Sequence, residues 1–309
     1  MKHGLILKKT HRVLSFKQKA WLMPYITFNT DQRKVASSPF EKNFFKFMNN
    51  AVYGKTMENV RKRKDVQLVN TEERARKLVA SPAFESFKHF GGDLVAVQRL
   101  KKKNLLNRPL YVGFTILELS KILMYEFHYE FIKKKYGNKA ELLFTDTDSL
   151  AYDVETVDIY KDMYEHKNLF DTSDYPTDSK HQSICNLYSI ENKKTIGKFK
   201  DELNGRMGLE FIGLRSKMYS LLSEDGQKNT AKGVSRAVIK HKLKHNSYRE
   251  CLENKKINHE SMKRIQSNFH ELYTINQRKV TLSHFDDKRY IQPDGIHTYA
   301  YGHYKIPKL

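Results

Sequence analysis

Cysteine is nearly absent from this chain of 309 residues: Cys185 and Cys251 are the only two. They stand far apart, without histidines at metal-binding spacing. Such a pair makes neither a disulfide framework nor a zinc module, the pattern of a reducing compartment. Proline is scarce too, with seven residues, and no repeat or low-complexity tract occurs. With 39% hydrophobic and 12% aromatic residues the composition is that of a folding chain, not a disordered one. Its length suits one large domain or two to three modest ones. No run of 18 apolar residues is present, and "MKHGLILKKTHR" at the N-terminus has an apolar stretch of only four. The expectation is an intracellular protein, nuclear or cytoplasmic, neither secreted nor membrane-bound. Walker loops, Ser-His-Asp and Cys-His arrangements do not stand out.

Acid is also in short supply. Lys and Arg number 56 against 35 Asp and Glu, a formal charge of +21 and a pI near 9.7. The excess is uneven. Residues 1–70 hold 15 basic against 4 acidic side chains, a net of +11, whereas residues 153–178 carry eight acids against Lys161 and Lys167. Such a surface attracts polyanions, of which nucleic acid is the commonest large one.

Periodicity predicts helices over 24–37 and 39–62, with Pro24 and Pro39 near their starts and Phe44, Phe47, Met48, Ala51 and Val52 at helical spacing. Over 64–112, "KDVQLVN" and "GGDLVAVQRL" read as strands around a helical "TEERARKLVA". A long apolar helix runs from Phe114 to Tyr136 and stops at Gly137–Asn138. Next come a hairpin, an acidic loop-rich segment to about 192, and further strands in "TIGKFKDEL" and "GLEFIGLRSKMYSLLS". The tail from about 230 reads as short basic helices and polar turns. Helices on one face of a largely antiparallel sheet make an α+β protein.

The hairpin "FTDTDSLAY", residues 144–152, is the chemically telling stretch. It sets Asp146 and Asp148 at the bend between an apolar run and an alternating one. Two carboxylates about 5–6 Å apart repel by roughly 3 kcal/mol at an effective dielectric near 20. Hairpin turns favour Asn-Gly or Asp-Gly, and no glycine lies between Thr145 and Ser149. A divalent cation reverses the sign of the problem, and Mg²⁺ in particular takes one or two carboxylates, keeps waters and binds substrate phosphates. The bland alternative is a solvated turn whose acids do nothing.

A second motif precedes it. In "KFMNNAVYG", Lys46 to Gly54, the residues Lys42, Lys46, Asn50 and Tyr53 follow one another at four, four and three, hence on one helix face. Ammonium, amide and phenol in a row suit a triphosphate and an adjoining base or sugar, though an ordinary amphipathic helix would read the same way. A third motif, "SKMY", contains Lys217 and Tyr219.

Taken together and in order, these motifs resemble family B DNA polymerases, in which the helix motif reads Lys-x₃-Asn-Ser-x-Tyr-Gly and the metal hairpin Tyr-x-Asp-Thr-Asp-Ser. The chain departs at Ala51 and Phe144. "GKTMENVRKR", "GLRSKMYS" and "DDKRYIQPDGIHTYAYGH" are similar to the protein-primed branch of viruses and Polinton/Maverick-type transposons. The resemblance implies a DNA-directed DNA polymerase using Mg²⁺, or Mn²⁺ in its place, with primer-template DNA, deoxynucleoside triphosphates and a priming terminal protein as partners. Asp148 would be the principal metal ligand, with Asp146 its weaker neighbour. Lys46 would contact the triphosphate, as catalytic residue, with Lys34 and Lys42 as further basic contacts. Asn50 and Tyr53 would line the nucleotide pocket. Gly54, Lys217 and Tyr219 would face DNA, the last two at the primer terminus.

The implied fold is a fragment of the polymerase right hand: fingers helices, a partial antiparallel palm sheet and a small thumb. Its parts are 1–63, the fingers region with the remnant of a preceding insertion; 64–112, an insertion; 113–221, the palm; and 222–309, the thumb. The family's upstream Asp-x₂-Ser-Leu-Tyr-Pro strand and its exonuclease Asp-x-Glu are not found, so a C-terminal piece is expected. Asp153 and Glu155 match the latter only by accident and read as solvated. A polymerase remnant that only binds DNA is therefore the alternative, and a basic nucleic-acid-binding domain unrelated to polymerases is the third reading. The insertion matches in position the element that surrounds template in protein-primed enzymes, and its "RLKKKNLLNR" suits backbone contact. "RKRK", Arg61 to Lys64, reads as a helix continued toward nucleic acid, or as a nuclear localisation patch. His297 and His303 lack a third ligand and read as structural or DNA-facing.

Overall fold

The computed structural model describes residues 6–101, 103–178, 182–295 and 297–307. Part of the N-terminal apolar stretch, Lys102 of the basic loop and Ile296 lie outside them. The chain forms two compact units, one ending at Lys55 and the other beginning at Thr56.

The first unit is built on α1 (Met23–Val35) and α2 (Pro39–Thr56), the latter crossing the unit boundary at its last residue. Pro24 near the start of α1 and Pro39 at the start of α2 occupy the first turn, where a missing N–H costs nothing. Tyr25 donates to the Met48 carbonyl at 3.2 Å, and Asn49 donates to Thr30 Oγ1 at 3.4 Å, so the two helices are fastened by polar contacts. Phe40, Phe44 and Phe47 stay exposed. The expected helix over 39–62 is shorter than its periodicity implied. After Thr56 the chain turns, and Val60–Lys62 make a single 3₁₀ turn capped by the Asn59 side chain.

In the second unit, β1 (Asp65–Val69), α3 (Glu72–Val79), β2 (Phe84–Gly91) and β3 (Leu94–Arg99) form a small antiparallel sheet in the order β1-β3-β2, with α3 packed on it. The strand β2 was not legible, because the phenylalanines of "FESFKHF" recur every third residue instead of every second, and Phe87 and Phe90 are exposed. Glu58 closes the base of this module. It accepts from Arg63 at 2.6 Å through both oxygens and from Arg108 at 3.1 Å. Lys64 pairs with Glu85 at 2.9 Å. The "RKRK" segment therefore does not continue α2, and half of it fastens the insertion instead.

Then α4 (Leu110–Glu126) passes through a π-helical turn, Phe127–Ile132, into α5 (Lys133–Tyr136). The strands β4 (Ala140–Asp146) and β5 (Ser149–Val154) form the expected hairpin. Phe131, Ile132, Tyr136 and Ala140 share a core with Met163 of α6 (Ile159–Glu165) and Ile184 of α7 (Gln182–Cys185). "TIGKFKDEL" forms no strand. Asp171 accepts from the Lys194 amide at 2.8 Å, and a single parallel bridge joins Phe199 to Phe170, which leaves the segment as turns.

A second core lies under β6 (Gly208–Arg215), β7 (Met218–Ser223) and β8 (Gly226–Ala231), covered by α8 (Arg236–Lys242) and α9 (His245–Glu253). The tail departs most from expectation. Besides the helices it contains a long two-stranded ribbon, β9 (Asn258–Asn268) with β10 (Glu271–Leu282), and a short pair, β11 (Arg289–Ile291) with β12 (Thr298–Ala300). The chain is α+β, as expected. Among the described residues its antiparallel pairing is divided among five small sheets instead of one. No helix among them is long and apolar enough to cross a membrane. Neither Cys185 nor Cys251 forms a disulfide.

Candidate functional site

The β4–β5 hairpin turns on Thr147 and Asp148, with Asp146 opposite Ser149 in register. Thr147 has φ of +56°, and the Asp148 amide donates to the Asp146 carbonyl at 2.7 Å, closing a three-residue turn. A β-branched residue in the left-handed region is a strained choice, of order 1–3 kcal/mol. The Ser149 hydroxyl donates to the same carbonyl at 3.1 Å and braces it. The sequence reaches positive φ here without glycine, and this tight turn keeps two acidic side chains one residue apart. Asp148 is exposed, and its carboxylate has no hydrogen-bonding or ionic partner among the described residues.

A second hairpin supplies the complement. β6 and β7 are joined by Ser216 and Lys217, the latter with φ of +59°. Lys217 Nζ lies 3.1 Å from Asp146 Oδ1. The two side chains are 48% and 36% exposed, and a pair that exposed contributes at most about 1 kcal/mol to folding. Beside it the rings of Phe144 and Tyr219 stack with centroids 4.4 Å apart, and Phe211 completes an aromatic trio at 5.8 Å from each. Stacked rings of this kind add about 0.5–1.5 kcal/mol per pair beyond area burial. Gly213, opposite Tyr219 in register, makes room, since a Cβ there would approach the Phe211 ring to 3.0 Å. Two motifs far apart in sequence are thus brought together, Asp146 and Asp148 with Lys217 and Tyr219.

The remaining predicted residues belong to the first unit. Lys34, in the last turn of α1, pairs with Asp31 at 3.4 Å. Lys42, Lys46 and Asn50 are exposed along α2, with Tyr53 half-buried on the same face. Gly54 is exposed, and an added Cβ would meet nothing within 4 Å. Packing among the described residues gives no reason for a glycine in this helix.

The donor set at the turn is hard oxygen from two carboxylates, one of them unpartnered. That fits one Mg²⁺ or Mn²⁺ whose other positions are filled by water and phosphate oxygens. It does not by itself make a two-ion site: among the described residues no group of three His, Cys, Asp or Glu side chains is placed to hold a metal.

One arrangement was missed by sequence reasoning. Ser220 Oγ lies 2.7 Å from His245 Nδ1, and His245 Nε2 lies 3.3 Å from Glu210, a serine–histidine–acid relay in outline. Its residues are scattered in the chain, so no spacing could have disclosed it. The proton bookkeeping rules out a nucleophile. Asn229 donates Nδ2–H to the Leu243 carbonyl at 2.7 Å, which leaves its Oδ1 to accept the Ser220 proton at 2.6 Å. His245 is then the donor toward Ser220, not a base acting on it, and Ser220 is fully buried. The network fastens α9 to the β6–β8 sheet.

His297 proves to be a tether. It lies 3.5 Å from Glu141 on β4 and hydrogen-bonds Asp294 at 2.5 Å. Asp294 first, and Glu141 after it, raise its pKa above the ordinary 6.5. With the folded value above the unfolded one, the tether is fully formed below about pH 6.5 and is lost as pH rises through the raised value. An NMR titration should give His297 a pKa above 6.5 that falls in Asp294→Asn. His303 stacks on Tyr299, with centroids 4.3 Å apart.

No family model, curated protein or solved structure matches this chain.

Proposed function

We propose that the chain carries out template-directed DNA synthesis, adding deoxynucleotides to a primer 3′-hydroxyl, as a family B polymerase fragment of the protein-primed type. The observation that carries the reading is the 3.1 Å pairing of Asp146 with Lys217 beside the Phe144–Tyr219 stack. The resemblance assigns the first of these motifs to metal and the second to the primer terminus, and the fold joins them although the ion pair adds little stability.

In this reading residues 1–63 act as fingers, 64–112 as the insertion, 113–221 as palm and 222–309 as thumb. Asp146 and Asp148 hold the divalent ion, which when bound supplies Lewis-acid stabilisation of phosphoryl charge. Lys217 pairs with Asp146 in the free protein, and with a divalent ion bound to the carboxylates its ammonium would be available to the primer phosphate. Tyr219, held by Phe144 and Phe211, presents a ring edge to the primer end. Lys46, with Lys42 and Lys34, binds triphosphate oxygens as point charges, and Asn50 and Tyr53 border the base and sugar. A DNA strand passing close to the backbone accounts for a glycine at position 54.

Gly54→Ala should leave the helix unchanged or stabilise it by up to about 1 kcal/mol, while incorporation falls. Unchanged incorporation would remove the close-approach argument.

A DNA-binding remnant without catalysis is the second reading, favoured by the absence of a third carboxylate beside the turn among the described residues. A primed template incubated with Mg²⁺ or Mn²⁺ separates the two. Templated extension by the chain supports the enzyme, and salt-sensitive binding without extension supports the remnant.

A further inference from the structure

The insertion module contains a cleft of about 570 Å³ between α3 and the sheet that none of the polymerase motifs explains. Its walls come from both elements. On the sheet, Asp65, Gln67, Val97 and Arg99 share the face that α3 covers, since 65 pairs with 99 and 67 with 97. From the helix side Thr71, Arg74, Lys77 and Ser81 line the opening. Arg74 and Lys77 are exposed, and neither side chain has a partner among the described residues. Their neighbour Arg76 differs, being paired to Glu72 at 2.6 Å.

Arg99 is the informative member. One terminal nitrogen pairs with Asp65 at 2.7 Å, which anchors the guanidinium where Arg99 lines the cleft. The hydroxyls of Thr71 and Ser81 and the Gln67 amide are further donors at the walls. Two acids must be counted against these cations. Asp65 is matched by Arg99, and Glu73 also lines the cleft. The balance remains positive, and Lys101 and Lys103, exposed on the loop just after Arg99, add to it.

We infer that this cleft binds a phosphodiester of a nucleic-acid strand, with Arg74 and Lys77 as its cations and the Asp65-anchored guanidinium of Arg99 as a third at its wall. The inference rests on the nucleic-acid reading above but not on catalysis. No aromatic residue is among those lining the cleft, so bases have nothing to stack on, and the contact is with backbone. It is independent of sequence.

The test is binding of a fluorescent single-stranded oligodeoxynucleotide across a salt series. In Arg74→Ala/Lys77→Ala the affinity should drop for every sequence alike, and the plot of log affinity against log salt should become shallower by about 0.7 for each phosphate the variant no longer neutralises. Both positions are exposed on a helix that alanine favours, and circular dichroism checks that the fold is kept. Glu73→Gln should act oppositely and tighten binding. At matched ionic strength inorganic phosphate should not displace the strand. Displacement would make this a free-anion site and overturn the strand assignment. A wild-type affinity and slope in the double variant would overturn the proposal, as would a wild-type chain that binds no DNA. Failure of the polymerase reading is separately visible, because a chain that extends no primer can still show the altered slope.

Discussion

Primer extension by Asp148→Ala should fall by about three orders of magnitude relative to the unaltered chain. The reasoning starts from charge. Asp148 is the acid of the turn whose carboxylate has no protein partner among the described residues, whereas Asp146 already faces Lys217. A metal ion acting as Lewis acid contributes several kcal/mol to transition-state stabilisation, and each factor of ten in rate corresponds to about 1.4 kcal/mol. Asp148 is exposed on a hairpin turn, so its truncation leaves no cavity, and the thermal midpoint should move little. Loss of extension with retained stability is therefore the signature. The companion Lys217→Ala should extend more weakly by raising the KM for primer, with a smaller effect on kcat, because Lys217 is assigned to the primer end and not to the ion. If Asp148→Ala and the unaltered chain extend a primer at equal rates, the turn is not the catalytic site.

DNA affinity should collapse between about 50 and 200 mM salt. The basis is the charge of +21 and its concentration in the first 70 residues, where the net is +11. Proteins that neutralise roughly 6–10 phosphates lose about 10³–10⁵ in affinity over that range, through release of counterions condensed on DNA. Lys42 and Lys46 are exposed along α2 without ion pairs among the described residues, so these charges are available to phosphate. The same series run on Asp148→Ala should return an unchanged slope, since removing one acid neutralises no further phosphate. Affinity that is flat in salt would contradict a basic nucleic-acid surface of any kind.

How much of this was legible in the sequence differs by element, for physical reasons. The β4–β5 hairpin was readable because its apolar run and its alternation both suit strands, and α1 and α2 because apolar spacing and N-terminal prolines agree. The ribbon β9–β10 was not. Ten of its eleven and ten of its twelve residues remain wholly or partly exposed, so "NHESMKRIQSN" has no apolar face to betray it. "TIGKFKDEL" misled in the other direction. Its apolar residues Ile196, Phe199 and Leu203 do not alternate, and its backbone bonds close turns, with Phe199 joined to Leu169 and Asp171. At the site, the aspartates and Lys217 could be named from their motifs. Their pairing could not, because it depends on two turns each holding a non-glycine residue at positive φ. The Ser220–His245–Asn229 network and the cleft beside Arg99 are wholly tertiary, assembled from residues with no shared spacing.

The central claim is that the carboxylates of Asp146 and Asp148 hold a divalent cation. Mn²⁺ binding followed by electron paramagnetic resonance tests it without any assay of synthesis. The account predicts a bound-ion signal that is lost in Asp146→Asn/Asp148→Asn and kept or strengthened in Lys217→Ala, where the competing ammonium is gone. A doubly substituted chain that binds Mn²⁺ as well as the unaltered one would contradict it.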